Sequence, residues 1–225
     1  MQDAITPLLL LVKAVPLAFL ALFPVINPIG TAVILLGMTG PIDSATRRTI
    51  AAKIAFNTFM LLAVVLFVGS YLLSFFGLTI PIVQAAGGLV LAAMGWRMLN
   101  QDDSTTSQSP GGAAASYGDR LFYPFTFPIT VGPGCIAVAL TLSAHTQNEA
   151  FVNTACRQAG AVIGIIGVCV AVYLSFAYSE LLARRLGASG TKVMLRMMAF
   201  IVVCLGAEIF WNGAAKLIQQ SLMSK

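Results

Sequence analysis

The sequence predicts an all-α membrane protein with six transmembrane segments, on two observations. Of its 225 residues, 58% are hydrophobic and only 9% are charged, with a mean hydropathy of +0.90, whereas soluble domains carry about 25% charged residues. Apolar runs of about 20 residues, the length that crosses a bilayer, recur along the chain. Because so few polar side chains cannot cover a soluble surface, we expect one domain within the membrane.

Six apolar runs are each expected to form one crossing. In chain order they are Leu8–Met38, Ala52–Phe76, Pro81–Leu99, Arg120–Ala144, Ala159–Leu182 and Lys192–Lys216. The first run is about 31 residues long, and at 1.5 Å per residue this exceeds what a straight helix needs to cross a 30 Å hydrocarbon core. We therefore expect the first segment to be broken or steeply tilted.

A polar stretch divides the chain into halves with three crossings each, residues 1–99 and 120–225. Residues 100–119 are rich in Ser, Thr, Gly and acidic residues and lack periodicity. Such a composition cannot bury a core, so we predict a flexible cytoplasmic linker. Because each half has an odd number of crossings, related halves would enter the membrane from opposite sides and form an inverted repeat.

The loops that we expect to be cytoplasmic hold most of the basic residues. They contain Arg47, Arg48, Lys53, Arg97, Arg120, Arg184, Arg185 and Lys192. Cytoplasmic loops of membrane proteins carry an excess of Lys and Arg. The bias predicts a multi-pass protein of the cell (inner) membrane with both termini outside the cytoplasm.

Each half opens with a cluster of Pro and Gly inside its first crossing. The clusters are FPVINPIG at Phe23–Gly30 and FPITVGPG at Phe127–Gly134. Proline lacks an N–H and frees backbone carbonyls in a medium without water, so we expect the first segment of each half to be discontinuous. Paired interruptions in repeated halves indicate the substrate site of a transporter. The alternative is that Pro and Gly only kink or closely pack helices.

The candidate substrate-binding residues at these clusters are of four kinds: glycines, threonines with a hydroxyl group, an asparagine with an amide group, and a proline that frees a backbone carbonyl. They are Asn27, Pro28, Gly30, Thr31, Thr130, Gly132 and Gly134. An amide offers both a donor and an acceptor, although Asn27 could also simply cap a broken helix. Half-helix amino ends suit a carboxylate and half-helix carbonyls suit an ammonium, and glycines let backbone approach a small ligand.

A carboxyl side chain inside the last crossing is a further candidate. Glu208 lies about twelve residues, or 18 Å, along the helix from Arg196. A carboxylate at that depth costs at least about 2.5 kcal/mol and normally faces a cavity or a partner. We expect Glu208 to take up a coupling proton or to meet a substrate ammonium; the alternative is a protonated carboxyl that only bonds a neighbouring helix. Asn212 and Gln84 are secondary candidates.

The chain resembles the MarC family, which includes the small neutral amino acid transporters known as SnatA. The motifs that carry the resemblance are FPVINPIG, QAAGGLVLAAMGWRML at Gln84–Leu99, FPITVGPG, and LGAEIFWNG at Leu205–Gly213. The resemblance implies an inner-membrane protein with six crossings and, for some members, transport of glycine, alanine and similar amino acids. Where members often have Arg and Gln, this chain has Gln84 and Glu208.

No enzyme, metal site or cofactor is expected. The sequence has one His, no HExxH, no nucleophile elbow and no CxxC. Its scattered basic residues do not form an aromatic-interleaved face for nucleic acid.

We therefore expect a secondary transporter of small neutral amino acids. The sequence leaves open its direction and whether a proton or sodium is coupled, and a homo-oligomer in the lipid bilayer is compatible with it. Two alternatives stay open, a passive small-solute channel and a membrane scaffold or assembly protein without transport.

Overall fold

The computed structural model describes residues 2–40, 42–100, 121–144 and 151–223, and these ranges are helical with short connections and no strand. The helical segments are α1 (Gln2–Ile26), α2 (Pro28–Thr39), α3 (Ser44–Phe75), α4 (Ile80–Leu99), α5 (Leu121–Thr130), α6 (Pro133–Ala144), α7 (Phe151–Ala177) and α8 (Ser179–Met223). The predicted linker of residues 100–119 lies, apart from Asn100, outside the described residues.

Five stretches of the described chain are long and apolar enough to cross a membrane. They are Leu8–Thr39, Ser44–Gly69, Ile80–Leu99, Val152–Ala177 and Lys192–Met223. The pair α5 and α6 is bent by 72° and supplies a sixth crossing if it counts as one span. The prediction of an all-helical protein with several membrane segments is therefore confirmed, with five or six crossings.

The helix of the second crossing begins earlier than its apolar run suggests, at Ser44 rather than Ala52. The Asp43 carboxylate caps α3 by accepting from the Thr46 backbone N–H at 2.9 Å and from the Thr46 hydroxyl at 2.6 Å. These hydrogen bonds, the side-chain one first, lower the pKa of Asp43. Hydropathy marks only the part of a helix inside lipid, whereas a capped polar turn extends the helix beyond it.

The connection between the last two crossings also differs from the prediction. Helix α7 ends at Ala177 rather than Leu182, and α8 begins at Ser179 with a helix that the sequence did not predict, although the last membrane span begins at Lys192 as expected. Within α8 the backbone of Gly187 is not helical, with φ 63° and ψ 177°. Glycine tolerates this positive φ because it has no Cβ, so it separates a short polar helix from the crossing that follows.

The core lies where α1, α3, α5 and α7 pack together, with α3 and α7 in contact and α1 lying along α7. Its largest fully buried side chains include Leu22, Ile54, Phe125 and Phe176, one from each of these four helices.

Helices α4 and α8 pack as an antiparallel pair at the side of this core. Four glycines mark their contact. A Cβ on Gly88, Gly95 or Gly206 would overlap backbone of the opposite helix, and a Cβ on Gly213 would overlap backbone at Ala85. Small residues let membrane helices approach this closely, and the glycine face of α8 is thereby used for packing within the chain.

Candidate functional site

The first helix break is at Asn27, between α1 and α2. Asn27 has φ 48° and ψ 65°, a left-handed conformation that asparagine tolerates better than most residues. Its side-chain Oδ1 accepts from the Gly30 backbone N–H at 3.1 Å. Pro28, which follows it, occupies the first position of α2, where a missing N–H costs no helical hydrogen bond. The capping role foreseen for Asn27 is therefore present.

Thr31 completes the hydrogen bonding of the first break. Its hydroxyl donates to the carbonyl oxygen of Ile26, the last residue of α1, at 2.8 Å, and its N–H donates to the Asn27 carbonyl at 2.9 Å. Both Asn27 and Thr31 are only 5% exposed. Backbone groups freed by the break thus find partners on neighbouring side chains, as burial in an apolar medium demands.

Gly30 gives the Asn27 side chain its room. A Cβ at Gly30 would overlap the Asn27 amide nitrogen and lie 2.7 Å from Leu195 Cδ2 on α8. The amide can fold over the start of α2, and α8 can approach, only because residue 30 has no side chain.

The second break lies between α5 and α6. In α5 the backbone of Tyr123 and Phe127, each followed by proline, is extended rather than helical. The hydroxyls of Thr126 and Thr130 donate to carbonyls five residues earlier, on Leu121 and Phe125, both at 2.7 Å. This is the spacing that Thr31 uses at the first break, but here the two bonds close over the extended residues within α5. The side-chain bond from α6 back to α5 is donated by the Cys135 thiol to the Thr130 carbonyl oxygen, at 3.9 Å.

The two breaks lie beside each other within the bundle. A Cβ at Gly134, in the first turn of α6, would lie 3.5 Å from Val25 Cγ1, two residues before Asn27. The same Cβ would lie 2.6 Å from Leu91 on α4, and a Cβ at Gly132 would lie 3.2 Å from Met94 Cε. The candidates at the breaks are all buried: Asn27, Pro28, Gly30, Thr31, Thr130, Gly132 and Gly134.

Glu208 does not lie among these residues. Leu195 of α8 contacts Gly30, and Glu208 is thirteen residues further along the same helix, about 20 Å at 1.5 Å per residue. Glu208 and Asn212 are both exposed, on the side of α8 turned away from α4. Their spacing from Arg196 gave the depth in the membrane, but not the direction in which the side chains point.

Gln84 is buried between α4 and α8, only 4% exposed and next to Gly213. Among the described residues its Oε1 accepts no hydrogen bond. An open groove of about 380 Å³ lies elsewhere, between α3 and α5, and no candidate residue lines it. Its lining residues are Ala52, Lys53, Phe56, Asn57, Leu121 and Phe122.

The sequence did not predict an ion pair that joins the two halves. Arg47 at the start of α3 is 3% exposed and donates to Glu180 of α8 at 2.5 Å and to the Ile42 carbonyl at 3.2 Å. The Arg47 hydrogen bond lowers the pKa of Glu180. Arg48 lies over the Tyr178 ring, 5.7 Å from its centroid. In the sequence Glu180 and Arg184 stand four residues apart, a spacing that favours a pair within one helix and gives no indication of Arg47.

The comparisons with known proteins agree with the helical membrane architecture. The sequence-family model described as "MarC family integral membrane protein" matches residues 12–218. The UPF0056 inner membrane protein MarC of Escherichia coli (strain K12) is 30% identical over 217 residues, which cover 93% of this chain and 97% of that relative. The same-named protein of Shigella flexneri matches to the same extent. No solved structure matches the chain. With its apolar helices, the chain is a multi-pass inner-membrane protein that belongs to the MarC family.

Proposed function

We propose that this protein is a secondary transporter of small neutral amino acids, whose substrate binds where the two helix breaks meet. One observation carries the proposal: a buried break occurs in each half, and Gly134 beside the second lies against Val25 beside the first. Broken helices at membrane depth are tolerated where protein buries them or where they line a cavity, and in pairs they are characteristic of transporter sites.

The chemistry of the breaks fits a zwitterion. The amino ends of α2 and α6 carry partial positive charge that favours a carboxylate, while the carboxyl ends of α1 and α5 present carbonyls that favour an ammonium. The Thr31 and Thr130 hydroxyls donate to backbone carbonyls, and each oxygen keeps a lone pair for a ligand donor. Asn27, Met94 and Leu91 fill the space beside Gly30, Gly132 and Gly134, so a site that opens between the breaks would be small, which favours glycine or alanine.

An inverted repeat is part of the same proposal, and the helix contacts support it. In such a repeat, helices α1 to α4 of the first half correspond to α5 to α8 of the second. The contact of α1 with α7 then corresponds to that of α5 with α3, and the contact of α2 with α7 to that of α6 with α3. Likewise the contact of α4 with α6 becomes that of α8 with α2. The contacts of α3 with α7 and of α4 with α8 stay the same when the halves are exchanged, because each joins two corresponding helices. Alternating access would follow from rocking one repeat against the other about the breaks.

Transport can be tested in proteoliposomes that contain the purified protein. Vesicles loaded with unlabelled alanine are diluted into labelled glycine or alanine, and transient accumulation of label is followed with and without a proton or sodium gradient. A transporter is expected to show saturable counterflow, since substrate on one side drives exchange. A channel would show flux without saturation or counterflow, and a scaffold would show none; either result contradicts the proposal. Protein-free vesicles give the background.

A further inference from the structure

The face of α8 turned away from α4 is exposed along the length of the helix. Eight of its exposed residues lie at alternating spacings of four and three. They are Met197, Ile201, Cys204, Glu208, Trp211, Ala215, Ile218 and Leu222. We call this set the outer seam. A repeat of four and three is the seven-residue pattern with which one helix packs along another in a left-handed coiled coil.

Glu208 stands near the middle of the outer seam and of the candidate span Lys192–Met223. With the other described residues it forms no hydrogen bond or ion pair, and Asn212 one turn later forms none either. A carboxylate facing hydrocarbon costs at least about 2.5 kcal/mol. We therefore expect a hydrogen-bonding group from outside the described residues to meet Glu208 at this depth.

We propose that the protein forms a parallel homodimer in which two α8 helices pack along the outer seam. A second copy with the same topology carries its own Glu208 at the same depth, so a two-fold axis along the membrane normal brings the two carboxyl groups together. One protonated carboxyl donates to the other, and Asn212, beside the seam, supplies an amide donor and acceptor for the facing carboxyl.

The pattern of the outer seam favours a dimer over other occupants. Lipid offers no polar group at this depth, whereas a second copy carries a carboxyl and an amide at the same height. Ile201, Glu208 and Ala215 occupy the first position of three successive seven-residue repeats, and Glu208 is the polar one. A single polar residue at this position fixes register and oligomeric state. Cys204 and Ala215 are small and let the two backbones approach closely.

Cys204 lies in the outer seam and supplies a direct test by cross-linking. In a variant whose other three cysteines, Cys135, Cys156 and Cys169, are replaced by serine, membranes are oxidised with copper phenanthroline. The dimer places the two Cys204 residues across the axis, within the Cα separation of about 4.4–6.8 Å that a disulfide requires. Most of the chain is expected to migrate as a dimer on a non-reducing gel, and reduction is expected to reverse this.

The matched control moves the cysteine by three residues on the same exposed surface. Ala207 is exposed but lies outside the seam; Ala207→Cys with Cys204→Ser is expected to cross-link at least tenfold less. Trp211→Cys in the same background returns to the seam and is expected to cross-link. Equal cross-linking at 204 and 207, or no cross-linking at 204, would overturn the proposal.

A second measurement compares the wild type with variants in which the Glu208 carboxyl is replaced. Single-molecule photobleaching of labelled protein in liposomes, at a fixed protein-to-lipid ratio, is expected to show two steps for the wild type. Glu208→Leu places an apolar side chain on the seam, and the dimer association constant is expected to fall at least tenfold, while Glu208→Gln keeps hydrogen bonding and most of the dimer. Single-step bleaching of the wild type, or an unchanged dimer fraction in Glu208→Leu, contradicts the proposal. Thermal unfolding shows that the variants are folded.

Discussion

Asn27 combines two properties that few side chains share. Its backbone adopts a left-handed conformation, with φ 48°, and its side chain accepts from the Gly30 N–H. Glycine would satisfy the first property and lose the second, whereas alanine would lose both. Substitutions at this one residue can therefore separate strain, capping and substrate contact.

We predict that Asn27→Ala lowers the free energy of unfolding by about 1–3 kcal/mol, because the cap is lost and the left-handed backbone becomes strained. Asn27→Gly is expected to cost less, since glycine adopts positive φ freely. Thermal unfolding in lipid nanodiscs measures both. If the amide also contacts substrate, Asn27→Gly loses most transport although it folds. Equal stability of the two variants would contradict the backbone argument.

Gly30 and Gly37 form a matched pair within α2. A Cβ at Gly30 would overlap the Asn27 side chain and approach Leu195, whereas a Cβ at Gly37 would meet nothing within 4 Å. We predict that Gly30→Ala lowers the free energy of unfolding by about 1–3 kcal/mol through overpacking and abolishes counterflow. Gly37→Ala is expected to be neutral or slightly stabilising. The same unfolding and transport assays apply, and similar effects of the two substitutions would refute the assigned packing.

At the scale of elements, the packing of α4 against α8 depends on glycine. A Cβ at Gly206 would overlap backbone of Ala92, which cannot move aside as a side chain would. Gly206→Ala is therefore expected to separate the helices and to lower the melting temperature, with Gly190→Ala on the same helix as control because its Cβ would make ordinary contacts beyond 3.5 Å. If Gly206→Ala and Gly190→Ala have the same melting temperature, the helices do not pack as described.

The ion pair of Arg47 with Glu180 joins α3 to α8. Because its hydrogen bond lowers the pKa of Glu180 below the ordinary value of 4.5, the stabilisation is complete above pH 4.5 and is lost as the pH falls through the lowered value. We predict that Glu180→Gln lowers the melting temperature at pH 7 and that its difference from the wild type shrinks below pH 4.5. A difference that does not change with pH would mean that the charge is unimportant.

For the whole molecule, the membrane topology is the first question, because α5 and α6 make the count of crossings five or six. The distribution of basic residues predicts six, with both termini outside the cytoplasm. Alkaline phosphatase fused to either end is expected to be active, whereas green fluorescent protein fused after Leu99 is expected to fluoresce in the cytoplasm. Activity at only one terminus would indicate an odd number of crossings.

The sequence predicted an all-helical protein with several membrane segments, because apolar length acts locally. It could not predict the start of α3, where a capped polar turn extends the helix beyond the lipid, or the short helix with which α8 begins. Nor could it predict which way Glu208 faces, since that depends on which stripe of α8 packs against α4. The Arg47–Glu180 pair joins positions 133 residues apart, and no local spacing reveals such a contact.

Substrate binding between the two breaks can be tested by measuring how far substrate protects position 25 from alkylation. Val25 is partly exposed, lies against Gly134, and is not itself a candidate ligand. In a cysteine-free background, Val25→Cys is treated with a maleimide in the presence of alanine, glycine or tryptophan, with the outward-facing Val64→Cys as control. If substrate binds between the breaks, we expect alanine and glycine to slow labelling at position 25, tryptophan to have no effect there, and position 64 to be unaffected. Unchanged labelling at position 25 under saturating alanine, in a variant that still transports alanine, would contradict it.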